Sequence, residues 1–383
     1  MHIDFDQHNE EVGRVWEAFR GGNPIRIPMT LGMNPRMIIL DEKRGGGVTF
    51  EQYYNDPRVM LETQLKFQRY QACEVVYDHE MGLPEKGWRV CPDFQNDVEC
   101  GWFGAQVKYS RNAVPFTVPP LRDDANKDAL LRRGIPGLFD GLLGKALAYH
   151  DYFNELKSKG YAYEGRPIHS VGFPGGGTDG PMTLACMLRG TTEFCVDLYE
   201  DRAYALELLD FITEATIWRV KGLRKHFGWE ETPASFGFAD DSIQLLSCQD
   251  YERFVLPCHR RLVKELSDGS GRNSIHLCGD ATRHFKTLQD ELNVYSFDTG
   301  FPIDFTATLG ALSPETYMNG GVHVDTLLRA APGEVAKAAR RVCREVKPLS
   351  RRFVIREANN LSPETPLENI AAMYGAVKEF GLY

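Results

Sequence analysis

The run Asn273-Ser274-Ile275-His276-Leu277-Cys278 alternates polar and apolar side chains and is followed at once by Gly279-Asp280. A period of two is that of a β-strand with one face buried, and the glycine marks the turn that ends it. Similar short runs, most of them closing on polar or Gly-rich residues, recur at 73–79, 168–173, 234–241, 294–298, 320–324 and 353–357. Between them the apolar period lengthens to that of a helix, as in Ala205, Leu208, Leu209, Ile212 and Ala215, or Ile370, Met373, Tyr374 and Val377. Strand alternating with helix implies right-handed crossovers and a parallel sheet. Roughly eight such strands favour closure into a barrel over an open sheet.

The expected fold is therefore α/β, a single (β/α)8 TIM-type barrel occupying residues 1–383. An N-terminal helical extension within 1–22 precedes it, carrying Val12, Val15, Trp16 and Phe19 at helical spacing and stopping at Gly21-Gly22 before an extended 24–28. Residues 85–165 fit neither period and are expected to form an insertion or long loops. An open dinucleotide-binding sheet would want G-x-G-x-x-G. Pro174-Gly175-Gly176-Gly177-Thr178-Asp179 has an aspartate where the third glycine belongs, which leaves a tight strand-to-helix turn or a ligand-binding loop.

Composition narrows the function. With 43% hydrophobic and 25% charged residues the chain of 383 can bury a large core and is not disordered. The net charge of -9 argues against nucleic acid. No run of about 18 apolar residues suggests a membrane span, and the start shows no leader, so a soluble, cytoplasmic protein is expected. Nine cysteines, an odd number without any CxxC, make a disulfide framework or zinc ribbon a poor fit. A metal site would have to be assembled from strands distant in sequence, as barrels do.

In a parallel barrel the carboxyl ends of the strands line the active site. Here they are rich in chemistry: Asp78 and His79, Asp240 and Asp241, His276 with Cys278 and Asp280, then Asp298, His323 and Glu357. Any one alone is more often a helix cap or a buried, hydrogen-bonded group; together they mark a mouth. His276 and Cys278, two apart on a strand, face the same way and can share one metal ion, and imidazole with thiolate suits zinc.

His276-Leu277-Cys278-Gly279 resembles the H-x-C-G of the uroporphyrinogen decarboxylase superfamily, in its zinc-dependent branch of corrinoid methyltransferases acting on methanol, methylamines and methyl ethers. Similar too are Gly180-Pro181 through Leu188-Arg189-Gly190, Asp240-Asp241 with Leu246-Ser247 and Phe254-Val255-Leu256-Pro257, and the closing 362–370, Ser-Pro-Glu-Thr-Pro-Leu-Glu-Asn-Ile. The resemblance implies a single (β/α)8 barrel, zinc, and a corrinoid supplied by a partner protein. The base-off signature D-x-H-x-x-G is not matched by Tyr77-Asp78-His79-Glu80-Met81-Gly82, which has tyrosine at its first position. True porphyrinogen decarboxylases carry an arginine-rich segment near the N-terminus, and the single Arg36 of the corresponding stretch 28–36 argues against tetrapyrrole decarboxylation.

The thiol-activating relatives carry a second cysteine where this chain has Asn359. Strand parity puts Glu357 on the face of Asn359, so the expected metal ligands are His276, Cys278 and Glu357, with Asp240 or Asp298 also able to reach in. Asp240, Asp241 and Glu357 are the catalytic candidates, and Asp78, His79, Asp298, His323 and Asn359 the substrate-binding ones. A zinc with one thiolate keeps more positive charge, which favours polarising an ether oxygen over activating a thiol. The expected activity is therefore methyl transfer from a small O-methylated substrate, an aromatic methyl ether among the candidates, to the Co(I) corrinoid of a separate protein. Transfer from corrinoid to acceptor, a metal-independent lyase and a non-catalytic tetrapyrrole-binding barrel are the alternatives.

Overall fold

In a computed structural model the chain is described over residues 4–39, 41–110 and 113–383. The first three residues of the expected N-terminal extension lie outside these. Five parallel strands form the continuous part of the barrel wall, in the order Phe353–Ala358, Tyr317–His323, Val294–Thr299, Asn273–Leu277, Gly237–Ala239. Backbone bonds extend the wall at both ends. Ile355 takes Pro28 as acceptor and Thr30 as donor, both at 2.9 Å, and Asp78 N donates to Met29 O at 3.2 Å. On the other side Ala239 N donates to Thr178 O at 2.9 Å, just beyond the Arg166–Val171 strand, which pairs in parallel with Trp88–Val90. Helices such as Arg202–Phe227, Pro332–Val346 and Leu367–Phe380 cover the wall. The fold is a (β/α)8 TIM barrel with an N-terminal helix.

Alternation along the strands decides which residues see the barrel interior. In Asn273–Leu277, Ile275 and Leu277 are buried against the helices, while Ser274 and His276 retain access to the interior. Phe297 stacks outward on Phe285 at 4.7 Å, leaving Asp298 on the interior face beside Asn319, its register partner. The N-terminal helix Phe5–Arg20, capped by the Asp4 carboxylate on Gln7 N, closes the end where the strands begin. Its Phe19 ring packs edge-on against Tyr317, the first residue of a wall strand, at 5.7 Å.

Two expectations are corrected here. Residues 85–165 are not long loops alone. They contribute the Trp88–Val90 strand, the antiparallel pair Gln106–Ser110 and Ala113–Val118, and the long helix Gly141–Ser158. Their periods are hard to read because the strand is only three residues long. The run 73–79 begins inside a helix, Pro57–Glu74, so only its second half is extended.

Asp78 is committed to holding this wall together. Its side chain is wholly buried and accepts from Arg26 Nη1 and Nη2, both at 2.6 Å, from Met29 N at 2.7 Å and from Tyr374 Oη at 2.9 Å. Trp16 of the closing helix donates to its carbonyl at 2.7 Å. Asp78 thus ties the first wall segment to the C-terminal helix and to the closed end. Asp78→Ala strands the buried Arg26 without its counter-ion and is expected to cost about 3–5 kcal/mol of stability. Urea denaturation would read the loss, and zinc binding by the surviving folded protein should be unchanged.

Candidate metal centre

Asp240 and Asp241 follow one strand and part ways. Asp240, fully buried, points outward, accepting from Met182 N at 3.1 Å and from Thr183 N and Oγ1 at 2.8 and 2.7 Å, with His259 Nε2 at 2.8 Å. It satisfies the free N–H groups at the start of helix Pro181–Arg189. Asp241 points inward, and its Oδ1 accepts from Cys278 N at 2.7 Å. Ala239 stands in register with His276, which brings Asp241 level with Cys278.

Asp241, His276 and Cys278 form a group whose ligand atoms all lie within 4.8 Å of one another, with His276 Nε2 and Cys278 Sγ 3.2 Å apart. Gly279 makes the arrangement possible. Its φ is +69, and a Cβ there would run into the Gln244 side chain at 1.7 Å.

The other nitrogen of His276 is spoken for. Nδ1 donates to Asp298 Oδ2 at 2.7 Å, and that same oxygen accepts from Arg356 Nη1 at 2.8 Å. Such an outer hydrogen bond fixes the ring and leaves Nε2 as the ligating atom. Burial is the largest influence and disfavours the imidazolium, but the bond to Asp298, the Asp298 charge and the Asp241 charge together outweigh it and raise the His276 pKa. Burial, then the Asp241 carboxylate, pushes the Cys278 thiol well up. One carboxylate, one imidazole and one thiol converging on a common point fit a tetrahedral zinc site with an open position.

Several expected site residues are placed elsewhere. Glu357 is not a ligand of this group and does not share its face. Arg356 reaches the interior, whereas Glu357 Oε1 accepts from Gly32 N at 2.8 Å and Arg356 Nη2 at 2.9 Å. Asn359 does not continue the strand parity. Its φ is +79, and its backbone carbonyl accepts from Arg356 Nη2 at 2.7 Å. His323, exposed, caps helix Val324–Arg329 by accepting from Asp325 N at 3.0 Å and packs on Phe301. His79 bonds the Val75 carbonyl at 2.8 Å and stacks on Tyr77, and Asp78 is occupied by Arg26. Asp280 is exposed and accepts from Thr282. Of the substrate-binding candidates, Asp298 alone has a hydrogen bond to the metal group.

Arg356 is the residue that sequence reading missed. Gly32 makes room for it, since a Cβ there would lie 2.0 Å from Nη2. Its inward parity, one position from Glu357, was the available signal.

Comparison with known proteins bears on the class. The uroporphyrinogen decarboxylase (URO-D) family model matches residues 174–380, and the chain belongs to this family. Over 140 residues it is 31% identical to the methylated-thiol–coenzyme M methyltransferase of Methanosarcina mazei, a match covering 36% of this chain and 35% of that relative, about a third of its length. A solved structure, a methyltransferase from Methanosarcina mazei, superposes with a TM-score of 0.63 over 96% of this chain and 98% of that one, at 17% identity, which shows a shared fold. The Methanosarcina relative's name is that of a methyltransferase, and the solved structure speaks to the fold. No helix among the described residues is long and apolar enough to cross a membrane.

Cys278→Ala should lower bound zinc, measured by elemental analysis, from one per chain to a trace. Because burial keeps the Cys278 thiol protonated at neutral pH, zinc must displace its proton. Calorimetry in buffers of different ionisation enthalpy should therefore show proton release, and affinity should rise with pH.

Glu357→Gln should keep zinc. Burial, opposed by Arg356, pushes the Glu357 carboxyl up to about 7, and its Oε2 has no partner to lose. Its stabilising contribution is complete below the ordinary value of 4.5 and lost as pH rises through about 7. Melting curves of the Gln variant should lack that component of decline.

Proposed function

We propose that this protein is a zinc-dependent methyltransferase that moves a methyl group from a small O-methylated substrate, such as an aryl methyl ether, to the Co(I) corrinoid of a separate protein docked over the barrel mouth. The observation that carries the reading is the donor set: Asp241, His276 and Cys278 converge at the carboxyl ends of adjacent strands, with one thiol among them. Zinc bound there would supply Lewis acidity, greater with one thiolate and an oxygen ligand than with two thiolates. Asp298, pinned by Arg356, holds the His276 ring and its Nδ1 proton, so that Nε2 faces the site. Asp241 keeps one oxygen on Cys278 N and adds the anionic ligand assigned in sequence to Glu357. The names of the similar proteins support methyl transfer as the reaction class. The Methanosarcina relative's name puts a methylated thiol and coenzyme M in its reaction. Asn359 in place of a second cysteine favours the oxygen-linked methyl donor for this chain.

With a purified corrinoid protein kept reduced, adding an aryl methyl ether to the zinc-loaded protein should convert the Co(I) spectrum to that of methyl-Co(III). Chelation should stop the conversion and zinc restore it. Methylation of a thiol from methyl-Co(III), with no conversion from any ether, would reverse the assigned direction.

A further inference from the structure

The loop Pro174-Gly175-Gly176-Gly177-Thr178-Asp179 follows the Arg166–Val171 strand, and all of it but Gly176, with Gln95, Val98 and Glu99, lines a cavity of about 250 Å³. This cavity lies at the same end of the barrel as the metal group. Thr178 O is bonded to Ala239 N at 2.9 Å, and a Cβ on Gly180 would come within 2.4 Å of Asp240 Cγ. Residues 178–180 therefore lie flush against 239–240, and Asp241 is the next residue, turned inward.

The loop is fixed from behind by a buried ion pair. Glu99, 5% exposed, accepts from Asp179 N through Oε2 at 2.5 Å, and its Oε1 faces Arg219 Nη2 at 2.5 Å. Arg219 is fully buried, donates to Gly177 O at 2.8 Å and lies over the Trp102 ring. This fixed support holds the Asp179 backbone.

The acids around this corner are engaged, except one. Asp240 serves the helix start and His259, Asp241 the Cys278 amide, and Glu99 the Asp179 amide. The Asp179 carboxyl lines the cavity and makes no hydrogen bond among the described residues. Burial first, then Glu99, Asp241 and Asp240, push it up to about 7 against the pull of Arg219.

We infer that Asp179 is a proton donor for the methyl-transfer reaction and that the cavity beside it receives the leaving-group oxygen of the methyl donor. This rests on the methyltransferase reading and adds a catalytic residue to it. In the step, the C–O bond of the donor breaks and its electron pair stays on oxygen. The acceptor Co(I) contributes the pair that forms the Co–C bond and becomes formally Co(III). The oxygen takes the Asp179 proton and leaves as an alcohol or phenol, and water reprotonates the carboxylate.

Asp179→Asn keeps the shape of the side chain and removes the proton. With an unactivated methyl ether, the variant should transfer methyl to Co(I) about 10²–10⁴-fold more slowly. With trimethylsulfonium, whose leaving group is a neutral thioether that needs no proton, it should match the unaltered protein. Zinc content should not change. Independently of turnover, the infrared difference between the unaltered protein and the Asn variant should show a protonated carboxyl band at pH 6 that fades through about pH 7.

Equal loss on ether and sulfonium donors, no loss on ethers, or no such band would overturn the inference and leave the methyltransferase reading standing. Should the unaltered zinc-loaded protein transfer methyl from neither donor, the methyltransferase reading itself fails.

Discussion

Side chains on a strand must alternate between the interior of the barrel and the layer beneath its helices, and the chemistry of this protein follows from that constraint. Asp240 and Asp241 are the same residue type, adjacent, at the end of one strand. One is fully buried as the anchor of a helix start, and the other faces a thiol and an imidazole. The same rule separates Arg356 from Glu357 on the last strand. Because neighbouring strands run in parallel and in register, interior residues from Gly237–Ala239, Asn273–Leu277, Val294–Thr299 and Tyr317–His323 meet at matching heights. That is how Asp241, His276 and Asp298, far apart in the chain, come within reach of one another.

Polar groups in this interior form a chain. Arg356 spans Asp298 and Glu357, Asp298 holds His276, and His276 shares its other nitrogen with Cys278. Burying an arginine is tolerable because two carboxylates and the Asn359 carbonyl receive its protons. The arrangement leaves the thiol, one imidazole nitrogen and one carboxylate facing each other. Burial of the thiol lets it hold its proton until a cation displaces it.

The strand and helix runs that define the barrel were legible in the sequence because each element satisfies its own period. Asn273–Leu277, Val294–Thr299, Tyr317–His323 and Phe353–Ala358 all fall on or beside the runs read from alternation. His276 and Cys278 were legible as a pair for the same local reason, being two apart and ahead of a glycine. Legibility failed where an element is short, as with Trp88–Val90, or where a helix overran an apolar stretch, as at Cys73 and Glu74.

The sequence by itself determined the alternation of strand with helix, the His276 and Cys278 pair and the family to which these motifs belong. Which acid joins that pair was decided by the tertiary structure alone. A strand-end carboxylate reads the same whether it faces a metal, caps a helix or binds an arginine, and the difference lies in partners hundreds of residues away. Asp78 depends on Tyr374, and Glu357 on Gly32. Asp241 rather than Glu357 meets His276 and Cys278 because register across adjacent strands, a property of the whole sheet, fixes heights that no single strand encodes.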